Sequence, residues 1–211
     1  MIRPTLLLLL LATPAAAQDS RNELWLSGQA SASVAGASVS IDTTTRFGED
    51  GLYQWTLGGF AGAELRGVDL AIGFQHGTDY ADGRIVSTEE RLRQQASFAI
   101  TGPLSARLRF EQRFRSDGRD TGLRLRGRLQ LGVPLGAVTL VGWHESFVEL
   151  NDTDWGQDAG YRRMRNFAGL EAPVAPAVKL QAGYLNQYDF ARNGGRDQMA
   201  NVASLGLAAR F

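Results

Sequence analysis

Two residues that could act on an ester stand two positions apart in the stretch Trp143-His144-Glu145-Ser146. An imidazole within reach of a hydroxyl can take its proton and turn the oxygen into a nucleophile, the first step of acyl transfer. On an extended chain, residues i and i+2 share a face about 7 Å apart, so His144 and Ser146 would meet if this stretch is a strand. Glu145, Phe147 and Glu149 would then occupy the opposite face.

A second chemistry-bearing set is ionic. In SARLRFEQRFRSD, Arg107, Arg109, Glu111, Arg113 and Arg115 alternate with Ala106, Leu108, Phe110, Gln112 and Phe114. The next segment repeats the pattern, Arg124, Arg126 and Arg128 alternating with Leu123, Leu125, Leu129 and Leu131, and Glu145, Glu149, Arg163, Arg165 and Glu171 continue the charged set. Lys179 is the single lysine. Arginine suits crowded, partly desolvated charges because its planar fork bonds two acceptors at once. Adjacent strands lie about 4.8 Å apart, so such rows meet as cross-strand pairs. They could line a path selective for anions, or fill an interior with arginine–glutamate contacts. Small barrels are generally filled by their own side chains, which favours the second reading.

The elements that must carry these residues are strands, because period-two alternation runs through nearly the whole chain and helical periodicity is almost absent. It predicts ten strands, at 38–47, 52–65, 68–80, 85–101, 105–116, 121–134, 137–150, 160–173, 177–191 and 199–211. Connections alternate between tight ones (66–67, 102–104, 135–136, 174–176) and longer polar ones (81–84, 151–160, 192–198). Short turns on one rim and long loops on the other describe an all-β, transmembrane antiparallel β-barrel with short periplasmic turns and longer external loops, of about ten strands, with twelve as the alternative. In such a barrel the arginine face looks into the lumen, the apolar face meets lipid, and His144 and Ser146 face lipid. Trp55, Tyr80, Phe114, Tyr184 and Tyr188 suit interfacial girdles. The segment 23–34, ELWLSGQASASV, is a further strand candidate, but an even count with both ends on the periplasmic side is the bacterial norm. Residues 18–36 are therefore expected to form an N-terminal extension or short strand that does not cross, and 37–211 the barrel.

The chain opens MIRPTLLLLLLATPAAAQDS, with one positive charge at Arg3, a leucine run and three alanines before Gln18. That is the pattern of a secretory signal peptide over 1–17, too short to span a membrane as a helix. No cysteine is present, so neither a cysteine-linked lipid anchor nor disulfides are expected. Lys and Arg number 22 and Asp and Glu 22, a balance that makes a nucleic acid an unsuitable partner. At the other end Leu205, Leu207 and Phe211 share one parity. By resemblance to other barrels, a terminal aromatic of this kind is what outer-membrane assembly machinery reads. The expected location is the cell outer membrane, the expected partners are its lipid and that machinery, and the expected state is a monomer. No cofactor or metal is expected: Asp152, Asp154 and Asp158 depart from calcium-loop spacing, and His76 has no evident partner.

The order of several short motifs resembles one bacterial family. ERLRQQ (90–95), RLRFEQRF (107–114), a GLRLRxR strand from Gly122, WHESFVELND (143–152), MRNFAGL (164–170) and GYLNQY (183–188) follow one another as in the proteins catalogued as domain of unknown function 2490. The resemblance spans nearly all of the mature chain; it implies an exported outer-membrane barrel and brings no settled activity. The H-x-S spacing is also similar to that of lipid A deacylases, although the asparagine that follows the serine there is Phe147 here. The reading is thus a structural or interaction barrel with a filled arginine–glutamate lumen, followed by a small anion-selective pore and by an outer-membrane lipid acyl hydrolase using His144 and Ser146.

Overall fold

Strict alternation makes a wall with two faces, and the computed structural model, which describes residues 18–192 and 194–211, bends that wall into a closed cylinder. Among the described residues there is no helix, and the strands are β1 (Gln18–Val34), β2 (Ala37–Gly48), β3 (Gly51–Leu65), β4 (Val68–Ala81), β5 (Arg84–Thr101), β6 (Leu104–Arg115), β7 (Thr121–Leu135), β8 (Val138–Glu149), β9 (Gly160–Ala175), β10 (Val178–Asp189) and β11 (Asp197–Arg210). The signal-peptide segment, 1–17, lies outside the described residues.

The all-β barrel fold is as expected; the strand count is eleven, and the difference lies at the N-terminus. Residues 18–34 are a full strand of the wall instead of an extension beside it. The parity objection to that strand assumed antiparallel closure. Here β1 and β11 run the same way and close the barrel in parallel, from Gln18↔Asp197 to Ser31↔Arg210, and Phe211 N–H extends the seam by donating to Ser31 C=O at 2.9 Å. Closure removes the edge: an unpaired backbone group facing hydrocarbon costs several kcal/mol, so a seam of either direction is far better than two open edges. The sequence of β1 obeys the same two-face rule as its neighbours. Leu24 and Leu26 point outward, whereas Trp25, 6 % exposed, points in and donates its indole N–H to Glu23 Oε2 at 2.7 Å.

One rim consists wholly of tight turns, at 35–36, 66–67, 102–103, 136–137 and 176–177. On the other rim the connections at 116–120, 150–159 and 190–196 are long, but 49–50 and 82–83 are tight, so the connection expected to be long at 81–84 is a two-residue hairpin. Asp82 and Gly83 both have positive φ, 52° and 71°, the type I′ geometry whose twist matches paired strands. Long loops therefore crowd the β6 to β11 side.

The outer wall is apolar in rows, for example Leu108, Leu125, Leu129, Leu131, Leu140, Leu170, Leu205 and Leu207, all well exposed. The interior divides in two. Around β1 and β8 to β11 it is filled by Trp25, Val141, Phe167, Leu185, Ala200 and Val202, with Trp143 stacked on Phe167 at 5.3 Å between centroids. Phe167 lies over Gly169 and Gly183, where an added Cβ would come within 2.7 Å of its ring, so these two positions admit only glycine. The other half of the lumen holds the arginines.

Candidate functional site

The lumen network is built from the inward faces of β4 to β9. Glu145, 0 % exposed, accepts from Arg107 at 2.6 Å, Arg126 at 2.9 Å and Arg128 at 3.1 Å. Glu111, also 0 % exposed, accepts from Arg126 at 2.7 Å and Arg124 at 3.4 Å, with Arg109 at 3.9 Å. Glu149 takes Arg124 at 2.8 Å and lies 3.7 Å from Arg113, whose guanidinium also clasps Glu89. Arg126 thus bridges two buried carboxylates, and Arg124 another pair. Such contacts are short and strong because both partners are ionised, and the burial of Glu111 and Glu145 is tolerable because each is surrounded by opposite charge.

Phe147, between Glu145 and Glu149, serves as an apolar post. The guanidinium carbons of Arg126 and Arg165 lie 4.6 and 4.8 Å from its centroid, stacking that suits a planar cation on a ring face. Arg163 pairs with Asp189 at 2.5 Å and Arg165 donates to Gln187 at 2.8 Å, so these two join the network's edge. Glu171 does not join it: it accepts from Lys179 at 2.7 Å at the tight-turn rim. Sequence reasoning passed over Glu89, Arg91 and Arg93. Arg93 runs along the inner wall over β4 and β3, donating to the Phe74 carbonyl at 2.9 Å and to Asp42 of β2 at 2.9 Å, the latter a non-local contact that no local pattern announces.

A cavity of about 840 Å³ remains above the tight-turn rim, with thirteen arginines in its wall against three carboxylates, Asp42, Asp69 and Glu89. A second, of about 240 Å³, sits beneath the 150–159 loop; Arg113, Arg115, Arg124, Phe147 and Arg163 belong to both walls and separate the two spaces. The loop caps the barrel. Gln157 reaches down to Arg113 at 2.9 Å, and Trp155 covers Arg113 and Arg115 at 5.0 and 5.6 Å. Asp154 accepts from the Arg119 and Asp120 amides of the neighbouring 116–120 connection and Asp152 from the Ala159 amide of its own loop, so both carboxylates hold loop backbone. Beside it Arg115 donates twice to Asp117 at 2.8 Å, which holds that carboxyl below its usual range.

On the opposite, outward face of β8 and β9 a polar cluster has formed. Ser146 Oγ lies 2.9 Å from His144 Nε2, His144 Nδ1 lies 2.8 Å from Asn166 Oδ1, and the Tyr161 hydroxyl lies 3.0 Å from Ser146 Oγ. An amide oxygen can only accept, so Nδ1 carries the proton and Nε2 is left to accept from the serine. Asn166 was invisible in the sequence because it reaches His144 through strand register: the two are direct partners across β8 and β9. His76 likewise has partners, Glu90 at 2.6 Å and Thr78 at 3.1 Å, contrary to the expectation that it has none.

The model of the family described as protein of unknown function (DUF2490) matches residues 22–199, most of this barrel. The chain belongs to DUF2490. A relative of this DUF2490 chain, an uncharacterized protein of Methylorubrum extorquens strain AM1, is 37 % identical over 231 residues, covering 100 % of both chains. Among solved structures the DUF2490 barrel is similar to a KdgM porin in complex with disordered oligogalacturonate, with 13 % identity, a TM-score of 0.49, and coverage of 75 % of this chain and 81 % of that one.

Proposed function

We propose that this DUF2490 chain is an outer-membrane barrel whose lumen is filled and braced instead of open, so that it acts as a rigid structural or interaction element in the membrane. The observation that carries this reading is the pair of fully buried carboxylates, Glu111 and Glu145, each held by several arginines of β6 and β7, so that the inner faces of β6, β7 and β8 are tied together. An open conduit would leave these groups hydrated and free to move. The loop seated on Arg113 closes the upper mouth as well. Support for the membrane assignment comes from the apolar outer rows, the leader-like N-terminus and the terminal Phe211, 80 % exposed at the rim.

The excess of arginine over carboxylate in the lower cavity favours a second reading, a small anion-selective pore. Planar-bilayer recording of the refolded protein separates the two. The braced barrel gives no steady conductance, whereas a sustained current that reverses toward the chloride potential in a salt gradient would establish the pore. Cell fractionation tests the location: the mature protein is expected with outer membranes, and recovery from the soluble periplasm would overturn the assignment.

A further inference from the structure

We propose that the outward-facing cluster of Ser146, His144 and Asn166 is a catalytic triad that hydrolyses acyl esters of membrane lipids, with the serine as nucleophile, the histidine as base and the asparagine as its positioning residue.

Three features of the wall converge on this. The hydrogen bonds run in one productive direction: Asn166 Oδ1 accepts from Nδ1–H, which leaves Nε2 as the acceptor 2.9 Å from Oγ, inside the range for proton transfer. The cluster faces away from the lumen, where polar groups have no structural task in holding charges and are costly to place against hydrocarbon. Oγ is also approachable from the side. The residue paired with Ser146 on β7 is Gly127, whose missing side chain leaves a gap in the outer wall; a Cβ built there would meet only Leu108 Cδ2, at 3.8 Å. The gap is bordered by the exposed Leu108, Leu125 and Leu129, a surface suited to an acyl chain.

The depth of the cluster fits the ester region of a lipid. Ser146 is three residues, about 10 Å along the strand, from the long-loop end of β8. A polar line continues from His144 across the wall through register partners Asn166, Asn186, Asn201 and Asn22, with Tyr184 donating to Asn201 at 2.6 Å. Below this line the outward positions are Leu24, Ala203, Tyr184, Ala168 and Gly142. On β8 to β11 and β1 the wall thus carries a polar row at the level of His144, one residue pair below Ser146, while on β6 and β7 it stays apolar through Leu108, Leu125 and Leu129.

The lumen network supplies rigidity from behind. Glu145 lies between His144 and Ser146 in the chain and is pinned by three arginines, and Arg165, next to Asn166, is stacked on Phe147. Sliding β8 against β7 would break buried ion pairs, and sliding it against β9 would break the stack of Arg165 on Phe147. This scaffold depends on the filled lumen proposed above; the chemistry does not.

The reaction balances with water as the only co-reactant. His144 Nε2 takes the Ser146 proton as Oγ bonds to the acyl carbon, and the Tyr161 hydroxyl, 3.0 Å from Oγ, is placed to donate to the carbonyl oxygen as it gains charge. The ester C–O bond breaks and Nε2–H returns the proton to the leaving alcohol. Water then gives a proton to Nε2, attacks the acyl-serine and releases the fatty acid, and Oγ regains its proton.

The full mature chain, refolded in detergent and shown to be folded by its faster unheated migration, would be treated with a fluorophosphonate probe. In parallel it would be mixed with phosphatidylethanolamine–phosphatidylglycerol vesicles and with purified lipid A, and fatty-acid release measured. One probe per chain on Ser146 and release from one of the two lipids is expected, and the lipid that responds identifies the source of the ester. Ser146→Ala and His144→Ala should lose at least about 1,000-fold in rate. Asn166→Ala should lose about 10-fold or more while Asn166→Asp, which keeps the acceptor, restores most of it. Gly127→Val should block lipid but not the small probe. Thr78→Ala, at the His76 cluster, should leave the rate unchanged. A folded wild type that is not labelled, one labelled but inactive on both lipids, or an active Ser146→Ala would each overturn the assignment. Conductance would be unaffected by any of these variants, so failure here is distinct from failure of the braced-lumen reading.

Discussion

Removing the Glu145 carboxylate is the sharpest test of the braced lumen. Three guanidiniums, from Arg107, Arg126 and Arg128, point at one fully buried carboxylate within 2.6–3.1 Å. Glu145→Ala leaves those cations crowded together with no counter-charge, and breaking a buried pair in this way typically costs about 3–5 kcal/mol. Arg126 retains Glu111, which limits the loss; Arg107 has no other carboxylate partner among the described residues, which adds to it. For a chain of this size each kcal/mol corresponds to about 2–4 °C, so the unfolding midpoint should fall by about 6–20 °C. Glu145→Gln, which keeps the shape and one acceptor oxygen, isolates the charge and should fall between Ala and wild type. The assay is the temperature at which the fast-migrating folded band is lost in detergent, checked by tryptophan fluorescence, since Trp143 lies 4.0 Å from Arg128. If Glu145→Ala melts within the equivalent of about 1 kcal/mol of wild type, the size expected of solvated ion pairs, the lumen is hydrated and the reasoning fails.

Phe211→Asp should lower the amount of protein assembled in the outer membrane and raise degraded or periplasmic material, whereas Phe211→Tyr or Trp should change little; immunoblots of membrane fractions decide this. Paired cysteines at Ala30 and Ala209, register partners across the seam, should cross-link on oxidation, while cysteines at Ala30 and Leu205 should not. Trp155→Ala removes the ring over Arg113 and Arg115 and should make the 150–159 loop more sensitive to protease without changing the barrel's melting by more than about 1 kcal/mol.

Much of this was legible because the side-chain period of a strand is two. That rule alone turned Arg107 to Arg128 inward and Leu123 to Leu131 outward, and it set His144 and Ser146 against Glu145 before any pairing was known. What it cannot supply is register. Asn166 sits twenty-two residues beyond His144 and meets it only because β8 and β9 align in that particular way, and His76 meets Glu90 for the same reason. The depth of the network was equally hidden: Arg93 reaches Asp42 across two intervening strands. Residues 18–34 were misjudged for a different cause. Their alternation was visible, but a rule about strand parity overrode it, and the parallel seam shows that the local pattern was the better guide.

The odd count has a topological result for the polypeptide itself. Gln18 lies beside Asp197 on the long-loop rim, and Phe211 lies beside Ser31 on the tight-turn rim. In the outer-membrane barrel proposed above, the chain is thus a stitch whose first and last strands end on opposite sides of the lipid. With the long loops outward, an epitope fused before Gln18 would be displayed at the cell surface, and one fused after Phe211 would remain hidden until the membrane is breached. The seam joins the first strand made to the last, so the thread can be drawn tight only after the whole chain has been delivered.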